Sequence, residues 1–259
     1  MLNLEIEQFI EQGFVKLENV FSRKAAQECT DILWQDLDCE PDNPVTWTKP
    51  VLRLGDYAQR PFREIANSHA LLAAFNQLIG KGRWLPRYSL GTFPIRFPHP
   101  DLPNDDGWHI DTSFYLEGDK PEDFLTWRAN VFSKGRALLM LFLFTEVSEK
   151  DAPTRVRVGS HLQIAKKLAP FGEKGLTLWE LAQNNFAETA HLPEILATGA
   201  IGTVFLCHPF LVHAAQRNLG SLPRVIAQPP LLPATPIELN RINADYSPLE
   251  LSIRKGIGL

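Results

Sequence analysis

ALLMLFLF, residues 137–144, is the longest apolar run in the chain, and its reading decides the fold class. It is far shorter than the roughly 18 residues of a membrane span, and it matches the length of a buried core strand. Working outward from it, WLPRYSLGTF, GWHIDTSFY, TRVRV, GTVFLC and RVIAQPPLL are also alternating or continuously apolar and are separated by turn residues, the pattern of strands. The stretch from residue 83 to 240 therefore reads as a β-rich body. Its expected architecture is a two-sheet antiparallel roll of the jelly-roll kind.

The flanking segments have a different character. Leu4, Phe9 and Ile10 predict a short helix closed by Gly13, FVKLENV predicts a strand, and Ser22 is placed to cap a second helix running to about Leu37. The stripe expected to be buried on that helix is Ala25, Cys29, Ile32 and Leu33. Residues 39–61 show no period and read as irregular surface chain; a third helix is expected from about Ala70 to Ile79, between Ser68 and Gly80. Inside the body, GSHLQIAKKLAPFG and TLWELAQNN read as helical inserts with Ser160 and Thr177 as N-caps, while 93–107 and 117–135 read as long connections of the kind that form lids. The whole, residues 1–259, is expected to be one domain: a mostly helical preface (1–82), the β core, and a C-terminal tail (241–259).

Composition narrows the function. The chain has 259 residues, 44% of them hydrophobic, and a net charge of −4, so it can bury a sizeable core and has no basic surface suited to nucleic acid. Cys29, Cys39 and Cys207 have no metal-type spacing and fit a reducing compartment. The N-terminal stretch is acidic where a secretory signal would be basic. A cytoplasmic enzyme acting on a small molecule, away from membranes, is the expectation.

GWHIDTSFY carries the chemistry. On a strand, His109 and Asp111 project to one face and would supply half of a metal site; a second histidine would complete the two-His, one-carboxylate set that leaves positions open on Fe(II). His69, His99 and His191 suit surface or capping roles, and His161 follows a turn. GTVFLCHPFLVHAAQRN offers both His208 and His213 next to an apolar strand, and spacing alone does not choose between them. Beyond it, Arg224 opens another apolar strand, where a guanidinium would be costly to bury without an anion. An inward arginine beside such a metal site suggests 2-oxoglutarate.

Taken together, EQFIEQGFVKLENVFSRKAAQEC, WHID, RVGSH and HPFLVHAAQRNLGSLPR, in that order, resemble the phytanoyl-CoA dioxygenase family of Fe(II)- and 2-oxoglutarate-dependent oxygenases. The resemblance implies a double-stranded β-helix core, metal ligands His109, Asp111 and His213, and Arg224 on the distal carboxylate of 2-oxoglutarate. It places His208 off the metal. It also implies a dioxygen-consuming reaction that releases succinate and carbon dioxide while oxidising a substrate C–H bond. Halogenating relatives lack the carboxylate ligand, so Asp111 points to hydroxylation. Ile110 stands where many members have a polar residue, and the turn at RVGSH lacks the proline that often precedes it.

Other residues are candidates for finer roles. Arg96 could touch the cosubstrate or an anionic substrate; Trp108, Phe114 and Tyr115 could wall the substrate; and Arg155 and Arg157, on one face of their strand, would select an anionic substrate if that face lines the cavity. Two competing functions have distinct signatures. A Zn(II)-type hydrolase or isomerase on the same roll would need neither 2-oxoglutarate nor Arg224, and a non-catalytic ligand-binding roll would make no succinate.

Overall fold

The computed structural model describes residues 4–259. Its strands are β1 (Phe14–Leu17), β2 (Val51–Leu54), β3 (Phe93–Arg96), β4 (Arg128–Ala129), β5 (Leu138–Leu143), β6 (Arg155–Arg157), β7 (Leu176–Thr177), β8 (Glu194–Leu196), β9 (Val204–Cys207), β10 (His213–Ala214), β11 (Ile226–Ala227) and β12 (Pro230–Leu231). Its helices are α1 (Ile6–Gln12), α2 (Arg23–Gln35), α3 (Arg60–Ala66), α4 (His69–Leu78), α5 (Ser160–Leu168), α6 (Leu178–Ala182) and α7 (Pro248–Ile257). No helix among the described residues is long and apolar enough to cross a membrane.

Two antiparallel sheets organise the body. The larger runs β1-β9-β5-β11, with β12 also on β5, and the smaller runs β10-β6-β8. β5 explains why its sequence is apolar without alternation. Leu138, Met140 and Phe142 belong to a core shared with Phe9, Leu33, Phe75 and Ile164 of the helices, whereas Leu139, Leu141 and Leu143 pack with Val156, Ile195 and Phe205 between the sheets. Each face buries its own set, at roughly 1.5–3 kcal/mol per large side chain before entropy is counted.

Gly13 ends α1 at φ 87°, in the left-handed region where glycine is least strained. A Cβ there would also stand 2.6 Å from Nδ1 of His161. Ser22 caps α2 by accepting from the Ala25 amide at 3.1 Å, and Thr177 caps α6 in a capping box with Glu180.

Several elements depart from the sequence reading. The buried stripe of α2 is Ala26, Cys29, Thr30 and Leu33, one position away from Ala25 and Ile32. Residues 39–61 are not simply surface chain: β2 pairs with β3, which occupies the start of the expected 93–107 connection, and Trp47 and Tyr57 are buried. WLPRYSLGTF and GWHIDTSFY are held by single bridges, such as Leu90 to Tyr57 and His109 to His213, in place of regular strands. α5 is preceded by Gly159 as its cap residue, and Ser160 Oγ accepts from the Val212 amide at 2.8 Å. The C-terminal segment carries α7, which opens with a Ser247–Glu250 capping box and packs on α1 and α5.

Candidate metal centre

His109 and His213 face each other across a two-residue antiparallel bridge, each amide donating to the other's carbonyl at 2.9 Å. Their rings lie 4.3 Å apart between centroids. His109 Nδ1 lies 2.9 Å from the Gly107 carbonyl, and His213 Nδ1 lies 2.9 Å from the Leu211 carbonyl. A carbonyl can only accept, so each Nδ1 carries the proton and each Nε2 keeps its lone pair free. Ile110 is fully buried in the helix-side core, which turns its neighbours His109 and Asp111 to the opposite side of the chain.

Asp111 closes the group. Its Oδ1 is 3.9 Å from His213 Nε2, and one ligand atom from each of His109, Asp111 and His213 lies within 4.8 Å of the others. Burial pushes the His213 imidazole down to about 4, helped by His109. Burial alone would raise the Asp111 carboxyl, but Arg136, His213 and His109 outweigh it and hold it below its usual value. Deprotonated donors of this kind are what a divalent metal requires. Arg136 orients the carboxylate, with Nη1 donating to Asp111 Oδ2 at 3.0 Å, as outer partners of metal ligands do.

The triad opens into a pocket of about 590 Å³ whose walls include Arg87, Tyr88, Ser89, Thr92, Arg136 and Gln228, with Phe124 from the 117–135 connection at its edge. Asp119 braces that connection through Arg128, with Nε to Oδ2 at 2.6 Å and Nη2 to Oδ1 at 3.0 Å. The Arg128 bond and the Leu116 amide bring the Asp119 carboxyl down to about 2.

The remaining expected site residues lie elsewhere. Arg224 is 2% exposed; its Nη1 and Nη2 donate to the carbonyls of Ala152 at 3.0 Å and Pro94 at 3.1 Å, while Nε has no partner. It faces a closed recess lined by Leu141, Leu143, Thr154 and Ile226, separate from the triad pocket. Arg96 pairs with Arg224 through the backbone and donates from Nη2 to Asp105 at 2.7 Å. Arg155 and Arg157 do share a face, but that face covers Trp108, with guanidinium carbons 4.6 and 4.0 Å from the ring centroid. Arg157 also donates to Phe186 O and Thr189 Oγ1, each at 2.9 Å. Neither arginine nor Trp108 lines the pocket. Phe114 is buried with Lys134 above its ring, and half-exposed Tyr115 packs on Trp127; both also lie outside the pocket.

His208 is held away from the triad, 4.8 Å from His161 between ring centroids, with its Nδ1 accepting from the Phe210 amide at 3.0 Å. Arg87, Arg136 and Gln228 were missed in the sequence. Arg136 carried the same signal as Arg224, a lone arginine opening an apolar strand, and ALLMLFLF begins one residue after it.

A family model described as phytanoyl-CoA dioxygenase matches residues 9–226. The chain belongs to the phytanoyl-CoA dioxygenase family. The match spans His109, Asp111, His213 and Arg224, while Gln228, Pro230 and Leu232 of the pocket wall lie just beyond it. A search among curated proteins finds no match.

Solved structures share the fold at low identity. The 2-oxoglutarate-dependent epimerase SnoN from nogalamycin biosynthesis aligns with a TM-score of 0.59 and 16% identity, over 89% of this chain and 82% of its own. HygX from Streptomyces hygroscopicus, solved with nickel, 2-oxoglutarate and hygromycin B, aligns with a TM-score of 0.54 and 19% identity, over 86% of this chain and 84% of its own. The carbocyclase SnoK, also from nogalamycin biosynthesis, gives 0.54 and 16%, over 89% and 83%.

Proposed function

We propose that this family member is an Fe(II)- and 2-oxoglutarate-dependent dioxygenase, built on a double-stranded β-helix, that hydroxylates a small-molecule substrate. The observation carrying the proposal is the convergence of His109, Asp111 and His213, with each imidazole Nδ1 turned to a backbone carbonyl and the carboxylate held ionised. These residues would hold the metal on one side, leaving positions for a chelating 2-oxo acid and dioxygen. The group held there would supply oxidative chemistry in which dioxygen is the oxidant and 2-oxoglutarate the co-reductant, consumed to succinate and carbon dioxide.

The protein's own groups do the rest. Arg136 fixes the carboxylate ligand, the two backbone carbonyls fix the imidazole orientations, and Phe124 covers the pocket edge against water. Arg224 is assigned to the distal carboxylate on its place in the matched family block, with its buried, unpartnered Nε in support. Its recess is separate from the triad pocket, so the assignment requires the two to join when the cosubstrate binds. The reading as a double-stranded β-helix rests on the pairing order: β3 joins the large sheet through the Arg96–Arg224 bridge, and the His109 stretch joins the small sheet through His213. The free thiols of Cys29, Cys39 and Cys207 suit a reducing, cytoplasmic setting.

The test is anaerobic titration of Fe(II) and 2-oxoglutarate, followed by the visible charge-transfer absorption of a chelated 2-oxo acid, and succinate release on admitting air. The band should be lost in His213→Ala and Asp111→Ala and weakened in Arg224→Ala. Turnover of a substrate without 2-oxoglutarate would instead establish the hydrolase or isomerase alternative.

A further inference from the structure

Two arginines line the triad's pocket, and the metal chemistry leaves much of their binding capacity unused. Arg136 spends Nη1 on Asp111, while its Nε is buried with no partner; the side chain is 12% exposed. Arg87 is 11% exposed. Its Nε donates to the Ser89 carbonyl at 3.0 Å and its Nη1 to the Pro230 carbonyl, and the nearest carboxylate, Asp56, stands 3.8 Å from Nη2 and is 60% exposed.

Two guanidiniums in one recess repel each other and lose hydration together. Burial depresses Arg87, Asp56 partly restores it, and Arg136 depresses it further. Asp111 cannot neutralise both arginines, because a metal would claim its charge. An anion seated between Arg87 and Arg136 would relieve the repulsion, and a planar fork is the geometry that takes carboxylate or phosphate oxygens. Ser89, Thr92 and Gln228 add neutral hydrogen-bonding groups on the same walls.

The pocket's outer edge has the opposite character. Leu85, Phe124 and Leu232 line it and are 46%, 50% and 40% exposed. Tyr88 and the Asp56 carboxylate are also exposed on this lining, so a charged inner wall stands beside a mouth that is apolar except at Asp56, which fits a small amphipathic anion.

We propose that Arg87 and Arg136 form an anion subsite for the substrate, binding its carboxylate or phosphate. Because Arg136 also holds the metal-ligand carboxylate, the carbon to be oxidised lies within a few bonds of that anionic group, and the apolar part of the substrate points to the mouth. The assignment rests on the oxygenase reading for its chemistry, but not for its binding.

The experiment is calorimetric titration of the full-length protein with phosphate, acetate, benzoate and uncharged benzamide, in three states: metal-free, Zn(II)-loaded, and Zn(II)-loaded with saturating 2-oxoglutarate. Metal content and thermal unfolding are measured for each variant. Phosphate or a carboxylate should bind in all three states, and Arg87→Gln and Arg136→Gln should each weaken it at least tenfold. Arg87→Lys, which keeps the charge, should recover part of the loss if folding is intact. Benzamide should not bind.

Equal anion affinity in the folded arginine variants, or equal binding of benzamide and benzoate, would overturn the subsite. Binding abolished by 2-oxoglutarate would assign the arginines to the cosubstrate and overturn the substrate role. Arginine-dependent anion binding in a protein that takes up no metal would leave the subsite standing and remove the oxygenase reading, so the two failures are separable.

Discussion

The protein contains two pairs of neighbouring histidines with opposite fates. His109 and His213 lie 4.3 Å apart and present both free nitrogens towards a carboxylate and an open pocket. His161 and His208 lie 4.8 Å apart and are sealed at 0% exposure beneath α1. In the sealed pair, His161 Nε2 donates to the Ile10 carbonyl, and the Phe210 amide donates to His208 Nδ1. These bonds leave His161 Nδ1 as an acceptor and His208 Nε2 as a donor, each without a partner. Proximity of imidazoles therefore does not make a metal centre. The difference lies in what their remaining nitrogens face: a carboxylate and space in one pair, apolar packing in the other.

The largest effect expected from this comparison is on metal affinity. Asp111→Ala should lose Zn(II) or Fe(II) binding by more than the roughly 10–100-fold that an outer partner contributes, whereas His208→Gln should bind metal like the parent; calorimetry on both variants checks this. Equal losses would abolish the distinction between the pairs.

Acid stability should depend on the sealed pair together with His213, all of which burial holds neutral. Burial brings His161 down to about 4 from an ordinary value of 6.5. A neutral imidazole in the folded state must then compete with a protonated one in the unfolded chain. Its contribution is present above about pH 6.5 and is lost as pH falls to about 4, a change of about 3 kcal/mol. Denaturant titrations across that window should show the slope, and His161→Gln should reduce it while the share from His208 and His213 remains.

A middle-sized effect separates support from coordination. Arg136→Ala should weaken metal binding by roughly 10–100-fold, in the range for lost outer partners, with the ligand set still intact in the metal's spectrum. The smallest effect concerns the connection that contributes Phe124 to the open pair's pocket. Asp119 is held at about 2 by Arg128 and the Leu116 amide, so its bracing is present above about pH 4 and fades as pH falls through 2. Asp119→Asn should raise proteolytic cleavage within 117–127 at neutral pH without changing cleavage near α1.

The β body was legible because β5 and β9 are short apolar runs bounded by turn residues, but which residues of β5 faced which layer was not. A strand buried on both sides has no period to read. β2 was hidden for another reason: VLRL is short and only partly buried, and its partner β3 comes much later in the chain. In α7 the Ser247-Pro248-Leu249-Glu250 start was a readable cap and Leu249, Ile253 and Ile257 recur at helical spacing, so this helix was legible and the tail reading overlooked it. Its buried Glu250 is accommodated by Arg241 at 2.6 Å.

At the site, residue type found His109, Asp111 and the alternatives His208 and His213, and the family resemblance chose His213. Arg136 carried the signal of a lone arginine before an apolar strand, but linking it to Asp111 required knowing that β5 begins beside the metal-ligand stretch. Arg155 and Arg157 show the converse. Their shared face was correctly inferred, but the indole it covers is a packing partner that strand alternation cannot reveal.

The backbone bridge between His109 and His213 also fixes an order of events in the life of the chain. Everything from β5 to β9 lies between the two residues in sequence, so a ribosome must release most of the β body before the second imidazole can meet the first. The three-ligand site thus cannot form before residue 213 has been made, however early the preceding strands pair.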